Sequence, residues 1–149
     1  MAIYQSLAAQ ADDYAVSFTL PGIPHIEPSF AIMAPQDGQT AFGVLHYITN
    51  KDMLKILNSE SGAYRVVDIN ATDTTGKRYI AKTLVGEAGE PPINGTSARY
   101  LDIVLEGATE HGLPDAYINT LKQTRTIYIP LVSDMIGSII YLTVMFASH

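Results

Sequence analysis

The chain has no cysteine and no tryptophan among its 149 residues. Without cysteine there can be no disulfide, no thiolate nucleophile, no iron–sulfur cluster and no cysteine-based zinc site. Basic residues are also few, because nine Lys and Arg face 15 Asp and Glu and leave a formal charge of −6. Proteins that bind the phosphate backbone need a basic face, so this balance argues against a nucleic-acid partner.

Several local signatures of catalysis are missing as well. The sequence contains no G-x-S-x-G, no G-x-x-x-x-G-K-[ST] and no G-x-G-x-x-G, which disfavours a serine hydrolase, a P-loop protein and a Rossmann dinucleotide site. Its four histidines form no i,i+4 pair and no H-E-x-x-H pattern, so no metal site and no cofactor are predicted. His111, which Gly112 follows, is expected in a turn between two helices rather than as a base.

The composition that remains is that of an acidic globular domain. Hydrophobic residues make up 47% of the chain and charged residues 16%, which is enough apolar material for one buried core. We assign residues 1–128 to a single domain and residues 129–149 to an apolar C-terminal tail. The N-terminus carries no basic segment followed by an apolar one, so it does not resemble a secretory signal and predicts a cytoplasmic protein.

The tail allows more than one interpretation. Residues 135–147 carry no charge, but as a helix they would span about 20 Å, less than the roughly 30 Å core of a bilayer. Extending the segment back to Ile129 adds length and places Asp134 inside it. The tail is therefore expected either to pack on the domain or to associate with a membrane through residues 129–147. The same apolar run could instead form a homodimer surface.

Hydrophobic periodicity predicts strands first and helices afterwards, which is the order of an α+β fold. Alternating or β-branched runs predict strands over 13–20, 30–33 and 41–48, a turn at 36–38, and a hairpin that joins 64–71 to 78–85. Helical spacing and capping residues predict helices over 51–57, 97–110 and 114–122. Either Thr96 or Ser97 is expected to cap the second of these helices.

Glu60 is the carboxylate of most interest because it follows the first helix and precedes an apolar strand. A carboxylate at such a junction can face a cleft at the end of a sheet. Partial burial there would raise its pKa and suit it to proton transfer. The alternative is a solvated glutamate in a loop.

The sequence contains an ordered series of distinctive segments. The longest and most unusual is GATEHGLPDAY at 107–117, which follows a Ser-x-x-Tyr helix start at 97–100. In chain order, the segments before these are GVL at 43–45, the 51–57 helix, ESG at 60–62, YRVV at 64–67 and the Pro91-Pro92 loop. Together these segments resemble the γ-glutamylcyclotransferase family.

This resemblance implies a mixed, barrel-like β-sheet flanked by a few short helices. It also implies a lyase that releases 5-oxoproline from a small γ-glutamyl substrate, glutathione-derived or another γ-glutamyl amine, including roles in secondary metabolism. Glu60 matches the family's general acid/base. Tyr100, Ser97 and Tyr64 match positions expected to bind the substrate. On helical spacing alone, Tyr100 would instead be a core residue in the apolar stripe of its helix, with Leu101, Val104, Leu105 and Ala108.

Near its N-terminus the chain departs from the family pattern. The family opens with a strand, a Tyr-Gly-Ser-Asn loop that grips the substrate, and a helix, whereas this sequence offers YQSL at 4–7. Too few residues separate Leu7 from the strand at Tyr14 for that helix, so this strand–loop–helix is expected to be truncated. The alternative function is therefore a non-catalytic or repurposed relative, either a binding module, a pseudoenzyme or a tailoring enzyme.

Overall fold

The computed structural model describes residues 3–23, 27–59, 64–90, 95–127 and 144–148. In these residues three helices accompany seven strands. In chain order they are β1 (Gln5–Ile23), β2 (Glu27–Ile48), α1 (Asn50–Ser59), β3 (Arg65–Asp73), β4 (Arg78–Val85), β5 (Thr96–Ser97), α2 (Ala98–Glu110), α3 (Asp115–Lys122), β6 (Thr126–Ile127) and β7 (Val144–Ser148).

Five strands close into a barrel in the order β1-β2-β7-β4-β3. All neighbouring strands are antiparallel except β2 and β7, which are parallel. Strands β5 and β6 pair in a separate two-stranded sheet. The predicted α+β class and the barrel-like sheet with short helices around it are thus confirmed.

Small and branched side chains fill the barrel, as a narrow closed sheet requires. The buried residues of this interior are Ala9, Ala11, Met33, Ala41, Leu45, Ile69, Ala71, Ala81 and Val85. A second buried cluster lies where α2 and α3 cover the sheet, and it contains Phe18, Tyr100, Leu101, Val104, Ala108, Leu113, Ile118 and Leu121. Helix α2 therefore presents the apolar stripe that its sequence spacing predicts.

The first two strands are longer than the sequence predicts. The runs expected at 30–33 and 41–48 belong to one strand, β2, and the expected turn at 36–38 is a bulge within it. The pairing skips from Asp12 opposite Thr40 to Tyr14 opposite Pro35, so that Asp13 faces several residues of β2. The Asp13 carboxylate accepts a hydrogen bond from Gly38 N–H at 3.0 Å, which closes the bulge without ending the strand.

The predicted turn between β3 and β4 is confirmed. One carboxylate organises it, because Asp73 accepts hydrogen bonds from both the backbone N–H and the hydroxyl of Thr75 at 2.9 and 2.7 Å. Lys77 N–H and Tyr79 O–H donate to the same side chain at 3.0 Å each. These bonds, that of the Thr75 hydroxyl above all, lower the pKa of Asp73 below its usual value.

Helix ends follow local sequence signals. Thr49 caps α1 by accepting from Asp52 N–H at 3.1 Å. Ser97 rather than Thr96 caps α2, where it accepts from Tyr100 N–H at 3.0 Å. His111 is the C-cap of α2 and is followed by Gly112 at φ +69°, so the predicted turn is confirmed.

Part of the apolar tail belongs to the barrel. Val144–Ser148 form β7, which pairs with Val44–Ile48 of β2 and pairs with β4 where Phe146 lies opposite Lys82. Residues 128–143 lie outside the described residues, so packing, membrane contact and dimerisation through them stay predictions. No helix in the described part of the chain combines the length and apolar character that crossing a bilayer requires.

Candidate functional site

A bulge in β1 creates the centre of the candidate site. Ser17 pairs with Ile32 and Leu20 with Phe30, so that both Phe18 and Thr19 face the single residue Ala31. A bulge of this kind disrupts the ladder of backbone hydrogen bonds at the residue opposite. Side chains must then supply partners for the backbone groups of Ala31, because an unpaired buried backbone group is costly.

Two tyrosine hydroxyls supply those partners from distant parts of the chain. Ala31 N–H donates to the Tyr100 hydroxyl oxygen at 3.0 Å, and the Tyr64 hydroxyl donates to the Ala31 carbonyl oxygen at 3.4 Å. Tyr100 comes from α2, whereas Tyr64 immediately precedes β3. The hydroxyl oxygen of Tyr100 is the acceptor in its bond to Ala31, whereas the hydroxyl of Tyr64 is the donor.

Packing holds the ring of Tyr100 in place. The side chain is only 3% exposed. The ring stands edge-on to Phe18 and Phe30, with centroids 6.0 and 5.5 Å away and interplanar angles of 84°. Edge-to-face pairs of this kind each contribute about 0.5–1.5 kcal/mol beyond burial alone. The direction of the phenol is therefore set by both neighbouring strands.

The start of α2 is tied to β2 through the residue before its cap. The Thr96 hydroxyl donates to the Ser29 carbonyl oxygen at 3.0 Å, and Thr96 N–H donates to the Arg125 carbonyl oxygen at 3.0 Å. Ser97 then caps the helix whose third residue is Tyr100. Both Thr96 and Ser97 are buried, so this junction is part of the protein interior.

The loop after β4 crosses the hairpin of β1 and β2. Gly86 N–H donates to the Met33 carbonyl oxygen at 3.0 Å, and Gly89 N–H donates to the Thr19 hydroxyl at 3.1 Å. The bulge is thus fixed by α2 and by this loop. The side chains of the candidate site are therefore mainly hydroxyl groups that surround a group of aromatic rings.

The structure brings together three of the residues that the sequence analysis singles out. Tyr64 and Tyr100 meet at Ala31, and Ser97 holds the backbone of Tyr100. Glu60 and the Pro91-Pro92 loop lie outside the described residues, so their placement stays a prediction. Tyr64 is only four residues after Glu60 in the sequence.

Other parts of the site cannot be found from the sequence. Ala31 contributes only backbone groups, which no residue type reveals, and Phe18 and Phe30 resemble any core aromatic in a strand. Ser29 becomes notable through its burial and through Thr96, which is far from it in the chain. Identifying these residues from the sequence would require knowing the register of β1 against β2.

Several described residues outside the candidate site have shifted pKa values. Burial, and to a smaller extent the neighbouring His111, lowers the pKa of His46, whose Nδ1 is 2.7 Å from Ser6 Oγ. Burial also raises the pKa of Tyr117 to about 12. Within the described ranges, no group of three or more His, Asp and Glu side chains could hold a metal ion.

Replacing Tyr100 with Phe is expected to lower the free energy of unfolding by about 1–3 kcal/mol, because the N–H of Ala31 loses its acceptor. Urea denaturation followed by circular dichroism measures the change. Tyr64→Phe is the matched control, and it should cost less because its bond to Ala31 is longer, at 3.4 Å against 3.0 Å. Equal stability of Tyr100→Phe and the unmodified protein would contradict the assigned bond.

The chain matches one protein family and is similar in sequence to known fungal proteins. Residues 40–121, more than half of the chain, match the model of the AIG2-like family. The chain is 31% identical over 134 residues to a protein of Claviceps purpurea named gamma-glutamyl cyclotransferase gliK, with 83% of this chain and 60% of that protein covered. An Aspergillus fumigatus protein of the same name is 29% identical over 128 residues, covering 68% of this chain and 47% of that protein. The chain thus spans about half the length of these relatives.

Two solved structures share the fold. A human protein described as uncharacterized protein loc79017 has a TM-score of 0.73 and 24% identity, over 89% of this chain and 80% of that one. A structure described as gamma-glutamyl cyclotransferase has a TM-score of 0.68 and 19% identity, over 93% of this chain and 79% of that one. At these identities the likeness concerns the fold, and it confirms the fold that the sequence resemblance implies.

Proposed function

The chain belongs to the AIG2-like family, and we propose that it is a γ-glutamylcyclotransferase-type lyase that releases 5-oxoproline from a γ-glutamyl amide. The names of its relatives, gamma-glutamyl cyclotransferase, support this class of activity. The proposed substrates are glutathione, compounds derived from it and other small γ-glutamyl amines. The γ-glutamylcyclotransferase resemblance found in the sequence agrees with the family match.

The proposed reaction is an intramolecular amide exchange. The α-amine of the glutamyl unit attacks its own γ-carbonyl carbon, a new C–N bond closes the five-membered lactam, and the original amide C–N bond breaks. One proton must leave the attacking amine and one must reach the departing amine, so the reaction consumes no water and needs no electron transfer. A single carboxylate can accept the first proton and return it, and we assign this role to Glu60.

The observation that carries the proposal is the meeting of Tyr64 and Tyr100 at Ala31. Both tyrosines lie within the segment that matches the family model, as do Ser97 and Glu60. Ring closure requires the substrate to be held in a folded conformation, and a rigid wall of buried aromatic rings and hydroxyls provides such orientation. In this proposal Tyr100, Ser97 and Tyr64 bind the substrate or hold the wall that it contacts.

A direct assay tests the activity. The purified protein is incubated with glutathione and a panel of γ-glutamyl dipeptides, and products are separated by liquid chromatography with mass spectrometry. We expect 5-oxoproline and the free amine to appear in equal amounts. Release of glutamate instead would indicate hydrolysis, and absence of both products over the whole panel would contradict the proposed function.

A binding protein without catalytic activity is the second candidate, and the N-terminal strand favours it. Tyr4 N–H donates to the Tyr47 carbonyl oxygen at 2.9 Å, and Gln5–Leu7 pair with Leu45–Tyr47. These residues are engaged in the β-ladder, so YQSL does not form a loop whose N–H groups could grip a substrate. Binding of a γ-glutamyl dipeptide by calorimetry, with no 5-oxoproline formed, would favour this candidate.

A further inference from the structure

A buried hydroxyl in the site has no hydrogen-bond partner. Ser29 is 1% exposed, and its Oγ is the sole buried side-chain oxygen or nitrogen without a partner that the described ranges contain. The residue opposite it in the ladder is Pro21, which has no N–H to donate. A buried polar atom that makes no hydrogen bond costs stability, so its presence calls for an explanation.

The position of Ser29 supplies that explanation. Its carbonyl oxygen accepts from Thr96, which immediately precedes Ser97, the N-cap of α2. Ser29 also lies two residues before Ala31, where Tyr64 and Tyr100 meet. The first turn of α2 carries no acidic side chain, so the partial positive charge at this helix end lacks a charged partner from its own residues.

We propose that Ser29 Oγ donates a hydrogen bond to the α-carboxylate of the γ-glutamyl substrate, which rests on the proposed function. A carboxylate accepts hydrogen bonds and is favoured near the positive end of a helix, and every γ-glutamyl amide carries one whatever its leaving amine. The unpaired hydroxyl gains its partner only when the substrate binds. Ser29 is thus a specificity residue for the glutamyl half of the substrate.

Kinetics of Ser29→Ala test the proposal. The KM for γ-glutamylalanine is expected to rise roughly 10- to 100-fold, the usual worth of a hydrogen bond to a charged group. The Tm should stay the same or increase, because the variant removes an unpaired buried hydroxyl. Thr109→Ala is the control, because the Thr109 hydroxyl lies on the exposed side of α2 and already donates to the Leu105 carbonyl oxygen. The KM of this control variant should equal that of the unmodified protein.

A substrate analogue isolates the carboxylate. 4-Aminobutanoyl-alanine has the same amine and amide but lacks the α-carboxylate, so its inhibition constant should be the same for Ser29→Ala and the unmodified protein. An unchanged KM for γ-glutamylalanine, or an equal loss of affinity for the dipeptide and the analogue, would overturn the assignment. A lower Tm with an unchanged KM would reveal an ordinary structural hydroxyl.

The two proposals fail in distinguishable ways. If the unmodified protein releases 5-oxoproline and Ser29→Ala behaves identically, the proposed function stands and the role of Ser29 is rejected. If the unmodified protein releases no 5-oxoproline from γ-glutamylalanine or the rest of the panel, both proposals are rejected together.

Discussion

Glu60→Gln is expected to lower kcat for 5-oxoproline release by about 10²–10⁴-fold, the usual contribution of a general acid/base. Glutamine has almost the same shape as glutamate, but it cannot take a proton from the attacking amine at neutral pH. KM should change little, because the variant leaves the hydroxyls and rings that we propose to contact the substrate in place. The measurement is initial-rate kinetics with the best γ-glutamyl dipeptide of the panel.

Glu106→Gln makes the same chemical change at an exposed position of α2, so it is the matched control for the loss of one negative charge. It should retain full activity. Both variants should keep the Tm of the unmodified protein, which separates a catalytic defect from a folding defect. If Glu60→Gln turns over at the unmodified rate, Glu60 is not the acid/base, and the proton transfer must be assigned to another group.

The features that the sequence predicts well are those decided by neighbouring residues. The hairpin of β3 and β4 follows from alternation and from the loop that Asp73 organises. The start of α2 follows from Ser97, whose hydroxyl meets an N–H three residues later. In each case the residues that determine the structure lie within one turn or one loop of each other, so the pattern is visible in a short window.

The features that the sequence does not predict depend on contacts between distant residues. The bulge at Asp13 and Gly38 exists because of the register between two long strands, and a local turn signal cannot distinguish a bulge from a chain reversal. The position of β7 between β2 and β4 likewise depends on which strands pair with each other, and the local conformation of β7 does not determine that.

The candidate site shows the same division. Tyr64, Ser97 and Tyr100 are found from the family resemblance, since their spacing matches its motifs. Tyr64 and Tyr100 are brought together by the backbone of Ala31, which is 69 residues from Tyr100 in the chain. Ser29 was invisible for the same reason, because its burial and its unpaired hydroxyl are properties of the assembled fold.

Gly95→Ala is expected to be the most damaging substitution near the site that leaves every hydroxyl in place. Gly95 has φ +85° and its backbone lies against Arg125, so a Cβ at this position would overlap the carbonyl oxygen of Arg125. The positive φ costs about 1–2 kcal/mol for alanine, and relieving the overlap adds about 1–3 kcal/mol. The total loss of unfolding free energy, measured by urea denaturation, is therefore about 2–5 kcal/mol.

The overlap also has a local consequence. Thr96 N–H donates to the same Arg125 carbonyl oxygen, and β5 pairs with β6 at this point. Moving Arg125 away breaks that contact and shifts Thr96 and Ser97, which position α2 and Tyr100. We therefore expect Gly95→Ala to reduce kcat/KM for 5-oxoproline release as well as stability.

Gly112→Ala separates the two costs. Gly112 also has a positive φ, +69°, but an added Cβ there meets no atom within 4 Å. The Gly112→Ala variant should therefore lose only the cost of the positive φ, about 1–2 kcal/mol of unfolding free energy. It should keep its kcat/KM, because Gly112 follows the C-terminal end of α2, away from Tyr100. Equal losses of stability in the two variants would mean that the contact between Gly95 and Arg125 is not the constraint that orders β5, Ser97 and Tyr100.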